Sequence, residues 1–181
     1  MTWTSTTQNN FGTESLRLMY MLAIASARRS ILIANAYFVP NTLAVKMLVA
    51  ARRRGVDVQI IVPGPVNDAK LVERASRAKW GPLLEAGVKI YEYQPTMYHT
   101  KVMVVDDYWV SVGSTNFDNR SFRLNDEANL NILDGGFARA ESKALDQDIA
   151  HSIPVTLESW RRRPWTEKLA ERFAALLRSQ L

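Results

Sequence analysis

The sequence predicts an α/β domain in which a mixed β-sheet is sandwiched between helices. Three observations predict it. Strand-length apolar runs alternate with stretches of helical periodicity. Runs such as Ile31 to Phe38 are apolar almost throughout, as strands buried on both faces are. Thr100 to Val105 and Trp109 to Val112 follow each other across a short turn at Asp106-Asp107, which reads as a hairpin within an otherwise crossover-rich chain. The 181 residues, 47% hydrophobic and 23% charged, suit a single packed domain and argue against disorder.

The elements follow in order. Residues 1–12 carry no charge and are rich in Thr, Asn and Gln, so they read as a flexible tail or linker remnant ahead of one domain over 13–181. A helix is expected over about 14–29, with Leu16, Met19, Tyr20, Ala23 and Ala27 on one face. Its apolar run Leu18 to Ala25 is far shorter than the ~20 residues a membrane span takes. It lacks a positive leader, because Glu14 offsets Arg17, so it reads as a helix and not a signal peptide.

A strand over 31–38 stops at Pro40-Asn41-Thr42, and a second helix covers about 42–54 with Gly55 at its C′ position. Another strand spans 56–62 and ends at Pro63-Gly64-Pro65. A helix over 68–86, broken at Gly81-Pro82 and capped by Gly87, leads to a strand over 88–93. Strands over 100–105, 109–112 and 128–133 complete the sheet. Helices over 137–150 and 164–180 close the chain.

The last helix places Trp165, Leu169, Phe173, Leu176, Leu177 and Leu181 on one face, with Lys168, Arg172 and Arg178 elsewhere. It follows Arg161-Arg162-Arg163-Pro164. Such a face suits either a membrane surface or packing on the domain. The net charge of +5 favours anionic partners, nucleic acid or lipid headgroups, although a surplus of that size also serves solubility. The absence of cysteine excludes disulfides and thiolate metal sites.

The chemistry is concentrated in Tyr98-His99-Thr100-Lys101-Val102-Met103-Val104-Val105-Asp106, followed after six residues by Gly113-Ser114-Thr115-Asn116. The pattern H-x-K-x4-D-x6-G-S-x-N arises by chance with a probability on the order of one in a million in a chain of this length. Residues two apart on a strand point to one face, so His99 and Lys101 converge, and Ser114 and Asn116 stand in the same relation. Glu127, Asn129 and Asn131 share a face, a polar stripe that packing alone does not explain. Asp106 has the opposite parity to His99 at the strand end, where backbone or a basic side chain is its expected partner. The only other histidine, His151, has neither a Lys two residues on nor a G-S-x-N run, and is expected to be structural or exposed.

This stretch resembles the HKD motif of the phospholipase D superfamily. Gly113-Ser114-Thr115-Asn116-Phe117-Asp118-Asn119-Arg120-Ser121-Phe122 is similar to the bacterial cardiolipin synthase branch, as are Ala36-Tyr37-Phe38-Val39-Pro40, Arg54-Gly55-Val56-Asp57-Val58 and Leu84 to Tyr93. The resemblance runs from about residue 14 to the end and matches the C-terminal half of a two-motif enzyme. It implies a phospholipase D-like α/β/α fold and a reaction without metal or cofactor. One histidine attacks phosphorus to form a phosphohistidine, and a second protonates the leaving alcohol.

By resemblance His99, Lys101, Asp106 and Glu127 form the catalytic set. Lys101, Ser114 and Asn116 bind the substrate phosphate, and Glu127 hydrogen-bonds the far nitrogen of the histidine. Asn116 also suits a turn cap, Glu127 a salt bridge, and Asp118, Arg120 and Ser121 a local turn network. Tyr37 and Phe38 border the pocket in the family, though core packing is their commoner use.

The implied substrate is phosphatidylglycerol, at a bacterial, cytoplasmic location with membrane association. The implied partner is a second HKD half, supplied in cis by a longer chain or by homodimerisation. A longer chain is the favoured reading, and a degenerate half that no longer catalyses is the third. Two alternatives belong to other classes: a metal-independent phosphodiesterase or nuclease acting as a homodimer, and a non-catalytic membrane-surface half-domain.

Overall fold

A computed structural model describes residues 1–7 and 15–176. One mixed eight-stranded sheet runs in the order β1-β7-β6-β5-β2-β3-β4-β8. The strands are β1 (Thr2–Thr7), β2 (Ser30–Asn35), β3 (Asp57–Pro63), β4 (Lys89–Tyr93), β5 (Lys101–Val105), β6 (Trp109–Gly113), β7 (Glu127–Leu133) and β8 (Ser152–Val155). The helices are α1 (Ser15–Ser26), α2 (Thr42–Arg53), α3 (Lys70–Arg77), α4 (Trp80–Glu85), α5 (Asn119–Arg123), α6 (Gly135–Ala150), α7 (Leu157–Arg162) and α8 (Trp165–Leu176). β2, β3 and β4 are parallel, and β5 pairs antiparallel to β2 with Asn35 opposite Lys101.

The apolar strands are covered on both sides, as their lack of alternation predicts. Ile31, Ile33, Ile60 and Met103 point into one core with α1, α2 and α4, whose contributions include Tyr20, Leu48 and Trp80. Leu32, Ala34, Ile61, Val102 and Val104 point into a second core closed by Ala138 and Leu145 of α6. All five residues of β5 are buried, so the strand that begins at Lys101 is rigidly held.

Several expectations are corrected. Residues 2–7 are not a tail: they form β1, antiparallel to β7 with Thr2 opposite Ile132. β-Branched threonines suit a strand, and β7 otherwise ends the sheet with an open row of backbone groups. The rest of the expected tail, residues 8–12, lies outside the described residues. β8 escapes prediction because Pro154 reads as a breaker, yet an edge strand tolerates proline.

The break in the helical stretch falls at Ala78-Lys79. Gly81 and Pro82 lie in the first turn of α4, where proline's missing N–H is not needed. The buried residues of α1 are Leu16, Tyr20, Met21 and Ile24, and Met19 and Ala23 only flank them. The short helices α5 and α7 carry too few residues for a periodic signal. Leu177, Arg178 and Leu181 of the expected last helix lie outside the described residues.

Candidate active site

The topology brings four chain segments to one rim of the sheet. β2 ends there at Asn35, β5 begins there at Lys101, β6 ends there at Gly113 and β7 begins there at Glu127. His99 sits in the extended segment just before β5, which is tied to the end of β2 by the bond from Ala36 N to Thr100 O at 2.8 Å.

Gly113 is required by close approach and not by its dihedral angles. A Cβ there would lie 2.2 Å from the carbonyl oxygen of Ala128. Without a side chain, the Ser114–Asn116 turn closes on β7, with Ser114 N donating to Ala128 O at 3.1 Å.

His99 and Lys101 meet as their spacing predicts. Lys101 Nζ lies 3.0 Å from His99 Nε2 and 3.1 Å from Nδ1, and donates to the His99 carbonyl at 3.2 Å. Lys101 is 8% exposed, whereas His99 opens to solvent. Burial lowers the Lys101 ammonium below the usual lysine value, against the pull of the Glu127, Asp68 and Asp118 carboxylates. An anionic oxygen bound to this ammonium would therefore stand within reach of the imidazole. The Tyr37 ring meets His99 edge to face, with centroids 6.3 Å apart, and its hydroxyl donates to the Asp68 carboxylate at 3.0 Å.

The other expected residues divide. Asn116 lies on the rim loop, and its Oδ1 is buried without a hydrogen-bond partner among the described residues. Ser114 Oγ accepts from Ala128 N at 3.1 Å, leaving its own proton to donate.

Asp106 does not join the site. It lies at the opposite end of β5, about 17 Å along the strand from Lys101. Its carboxylate accepts from the backbone N–H groups of Arg28, Arg29 and Ser30 at 2.9, 2.7 and 2.9 Å. Burial alone would raise its pKa, but these bonds and the Arg29 charge hold it below the usual carboxylate value. Its φ of 57°, with 51° at Asp107, makes the hairpin turn, a conformation aspartate tolerates better than most residues. Asp106 is a support residue.

The Glu127 carboxylate accepts from Ser121 Oγ at 3.0 Å and Asn125 Nδ2 at 3.3 Å, and its charge acts on Lys101, which lies against His99. Asp118, Arg120 and Ser121 form the expected local network. Asp118 caps α5 by accepting from Ser121 N at 2.7 Å, and Arg120 donates to Asn125 Oδ1 at 3.3 Å.

Two residues, Asn35 and Asp68, were missed, and Asn129 was seen only as part of a polar stripe. Asn35, 2% exposed, accepts from Tyr37 N and Phe117 N at 3.1 and 3.0 Å, so it fastens the segment after β2 to the loop after Asn116. Asn129 is fully buried. It accepts from Thr115 Oγ1 at 2.8 Å and donates to Tyr20 and Ser111 hydroxyls at 2.9 Å each, so this part of the polar stripe is a scaffold behind the site. Burial pushes the Tyr20 hydroxyl up to about 12, which keeps it a neutral partner. Asp68 arrives on the loop before α3. A polar residue at the buried end of an apolar strand was a readable signal for Asn35, but nothing in the order of residues places Asp68 beside Tyr37.

The chain is similar to known proteins. The family model for the cardiolipin synthase PLD-like domain matches residues 20–149. Cardiolipin synthase A of Proteus mirabilis is 40% identical over 162 residues, covering 90% of this chain and 33% of that protein. The minor cardiolipin synthase ClsB of Bacillus subtilis is 34% identical over 157 residues, covering 87% and 39%. The chain thus spans well under half the length of these relatives.

Among solved structures, the phospholipase D family member Nuc of Salmonella typhimurium superposes with a TM-score of 0.72 at 25% identity, covering 86% of this chain and 99% of that one. The phosphatidylserine synthase of Haemophilus influenzae gives 0.73 at 16%, covering all of this chain and 48% of that one. With the rim, the paired His99 and Lys101 and these matches together, the chain belongs to the cardiolipin synthase family of phospholipase D-like domains.

Proposed function

We propose that this chain supplies one half of a two-histidine site for phosphatidyl transfer, forming cardiolipin from two phosphatidylglycerol molecules with release of glycerol. The observation that carries it is the Lys101 ammonium held between a buried strand and both ring nitrogens of His99. In this reading one histidine attacks phosphorus, forming a P–N bond while the P–O bond to glycerol breaks. The second histidine, from another HKD half, gives its proton to the departing glycerol. It then takes the proton of the acceptor hydroxyl as that oxygen forms a new P–O bond and the P–N bond breaks. Lys101, Ser114 and Asn116 hold the non-bridging oxygens. A chain with one His-Lys set needs a second, from the remainder of a longer protein or from another copy.

The test is incubation with phosphatidylglycerol, alone and with the other half of a relative supplied. Cardiolipin or phosphatidic acid is expected in at least one arm, with loss of at least about a hundredfold in His99→Ala. No product in either arm would sink the reading. If the chain acts as a homodimer, its specific activity rises with protein concentration.

A further inference from the structure

We infer that the outward face of α8 seats the domain on an anionic phospholipid bilayer. The starting observation is that the amphipathic helix is docked by its polar side. Glu171 and Ala174 face inward at 2% and 0% exposure, while Trp165, Leu169 and Phe173, spaced four apart, stand 72%, 53% and 66% exposed.

The polar docking is specific. Glu171 is gripped by Arg163, whose Nε lies 2.8 Å from Oε1 and whose NH2 group lies 2.6 Å from Oε2. The Arg163 guanidinium stacks 3.9 Å over the Trp160 ring, and Trp160 Nε1 donates to the Arg77 carbonyl at 2.9 Å. A buried ion pair adds little stability, but it sets orientation, and here it keeps the apolar stripe turned outward. A stripe of one indole, one isobutyl and one phenyl group held in water is a surface built for a partner.

The charge around the stripe identifies the partner. Residues 70–77 and 157–176 carry eight Lys or Arg against four Glu, so they hold nearly all of the chain's net charge of +5. Lys70 and Arg74 are exposed, as are Arg161 and Arg162, which pair with Glu85 and Glu158 at 2.7 Å each. Apolar and aromatic groups bordered by basic residues match the boundary of an anionic bilayer, where indole rings settle at headgroup depth. Placement agrees as well. Ala174 packs with Val39, Ala75 and Val72, and Val39 lies two residues beyond Tyr37, so α8 is anchored to the rim that carries His99. A lipid phosphodiester reaching that rim comes from the membrane plane. The inference rests on the proposed lipid substrate for its choice of partner, and on the exposed stripe for its surface.

The experiment is co-sedimentation of the full chain with phosphatidylglycerol/phosphatidylcholine vesicles and with phosphatidylcholine alone. Binding is expected to the anionic vesicles and to weaken with added salt. In the triple variant Trp165→Gln, Leu169→Gln, Phe173→Gln, checked for native circular dichroism, affinity should drop about tenfold or more. As a second measurement, brominated lipids should quench part of the wild-type tryptophan emission, and that part should vanish in Trp165→Phe. Unchanged vesicle binding by the folded triple variant overturns the inference. So does a self-associated wild type that the triple change converts to a monomer without altering vesicle binding. His99→Ala should bind as wild type does. Binding through the stripe with no turnover of phosphatidylglycerol even when the second half is supplied overturns the proposed function alone, and turnover in detergent without vesicle binding overturns the docking alone.

Discussion

At Asp118 two requirements of one side chain conflict. Its carboxylate caps α5 by accepting from Ser121 N, yet it is buried beside Glu127, and burial with that neighbouring charge pushes it up to about 6 against the Ser121 bond. A raised carboxyl pKa means the folded state prefers the protonated form. Its stabilising contribution is full below the unfolded value of ~3.9 and is lost as pH rises through about 6. Asp118→Asn keeps the capping oxygen and removes the charge. The variant should therefore gain on wild type across pH 4 to 7, by roughly 2–3 kcal/mol at most, and match it near pH 3, as read by thermal melting. A gap that does not vary with pH would refute this. The same scale holds the site's legible part. His99 and Lys101 were readable because strand alternation is local, and Asp106 because its parity excluded it from their face. The partners of Glu127 were not readable, since Ser121 and Asn125 reach it through the turn of α5.

Helices α4, α7 and α8 meet around Gly81 and the Trp160 ring. A Cβ on Gly81 would fall 2.5 Å from Trp160 Cη2, and the same indole donates to Arg77 O and carries the Arg163 guanidinium. Gly81→Ala should push Trp160 away and cost about 1–3 kcal/mol in urea denaturation, with changed tryptophan emission. Wild-type stability in that variant would show that the indole moves freely. The sequence reading took Gly81-Pro82 as a helix breaker, which local propensity suggests. The tertiary reason for the glycine is the ring that lies against it, brought by a helix about 80 residues later. The last helix shows the same division. Its amphipathic pattern was plain, but two destinations fitted it, and the Arg163–Glu171 pair turned the stripe outward.

Across the whole molecule the sheet is most secure at its centre. β2 and β5 are covered on both faces, while β1 and β8 form the two edges. Hydrogen exchange should therefore be slowest at amides of Leu32–Ala34 and Val102–Val104 and fastest among strands at β1 and β8. Equal protection of edge and centre would contradict this layout. The histidine and lysine thus sit at the end of the most fully buried strands, which fits a reaction that depends on fixed charge placement.

Periodicity within a few residues is enough to read the α/β class, six of the eight strands and the His99–Lys101 pair from the order of residues. The packing of distant segments sets the rest: residues 2–7 complete the sheet, Asn35 and Asn129 fasten the site from behind, and Asp68 meets Tyr37. It also brings Ser121 and Asn125 to the Glu127 carboxylate. These are contacts between segments up to about 130 residues apart, and no local pattern encodes which distant backbone or side chain will satisfy a buried polar group.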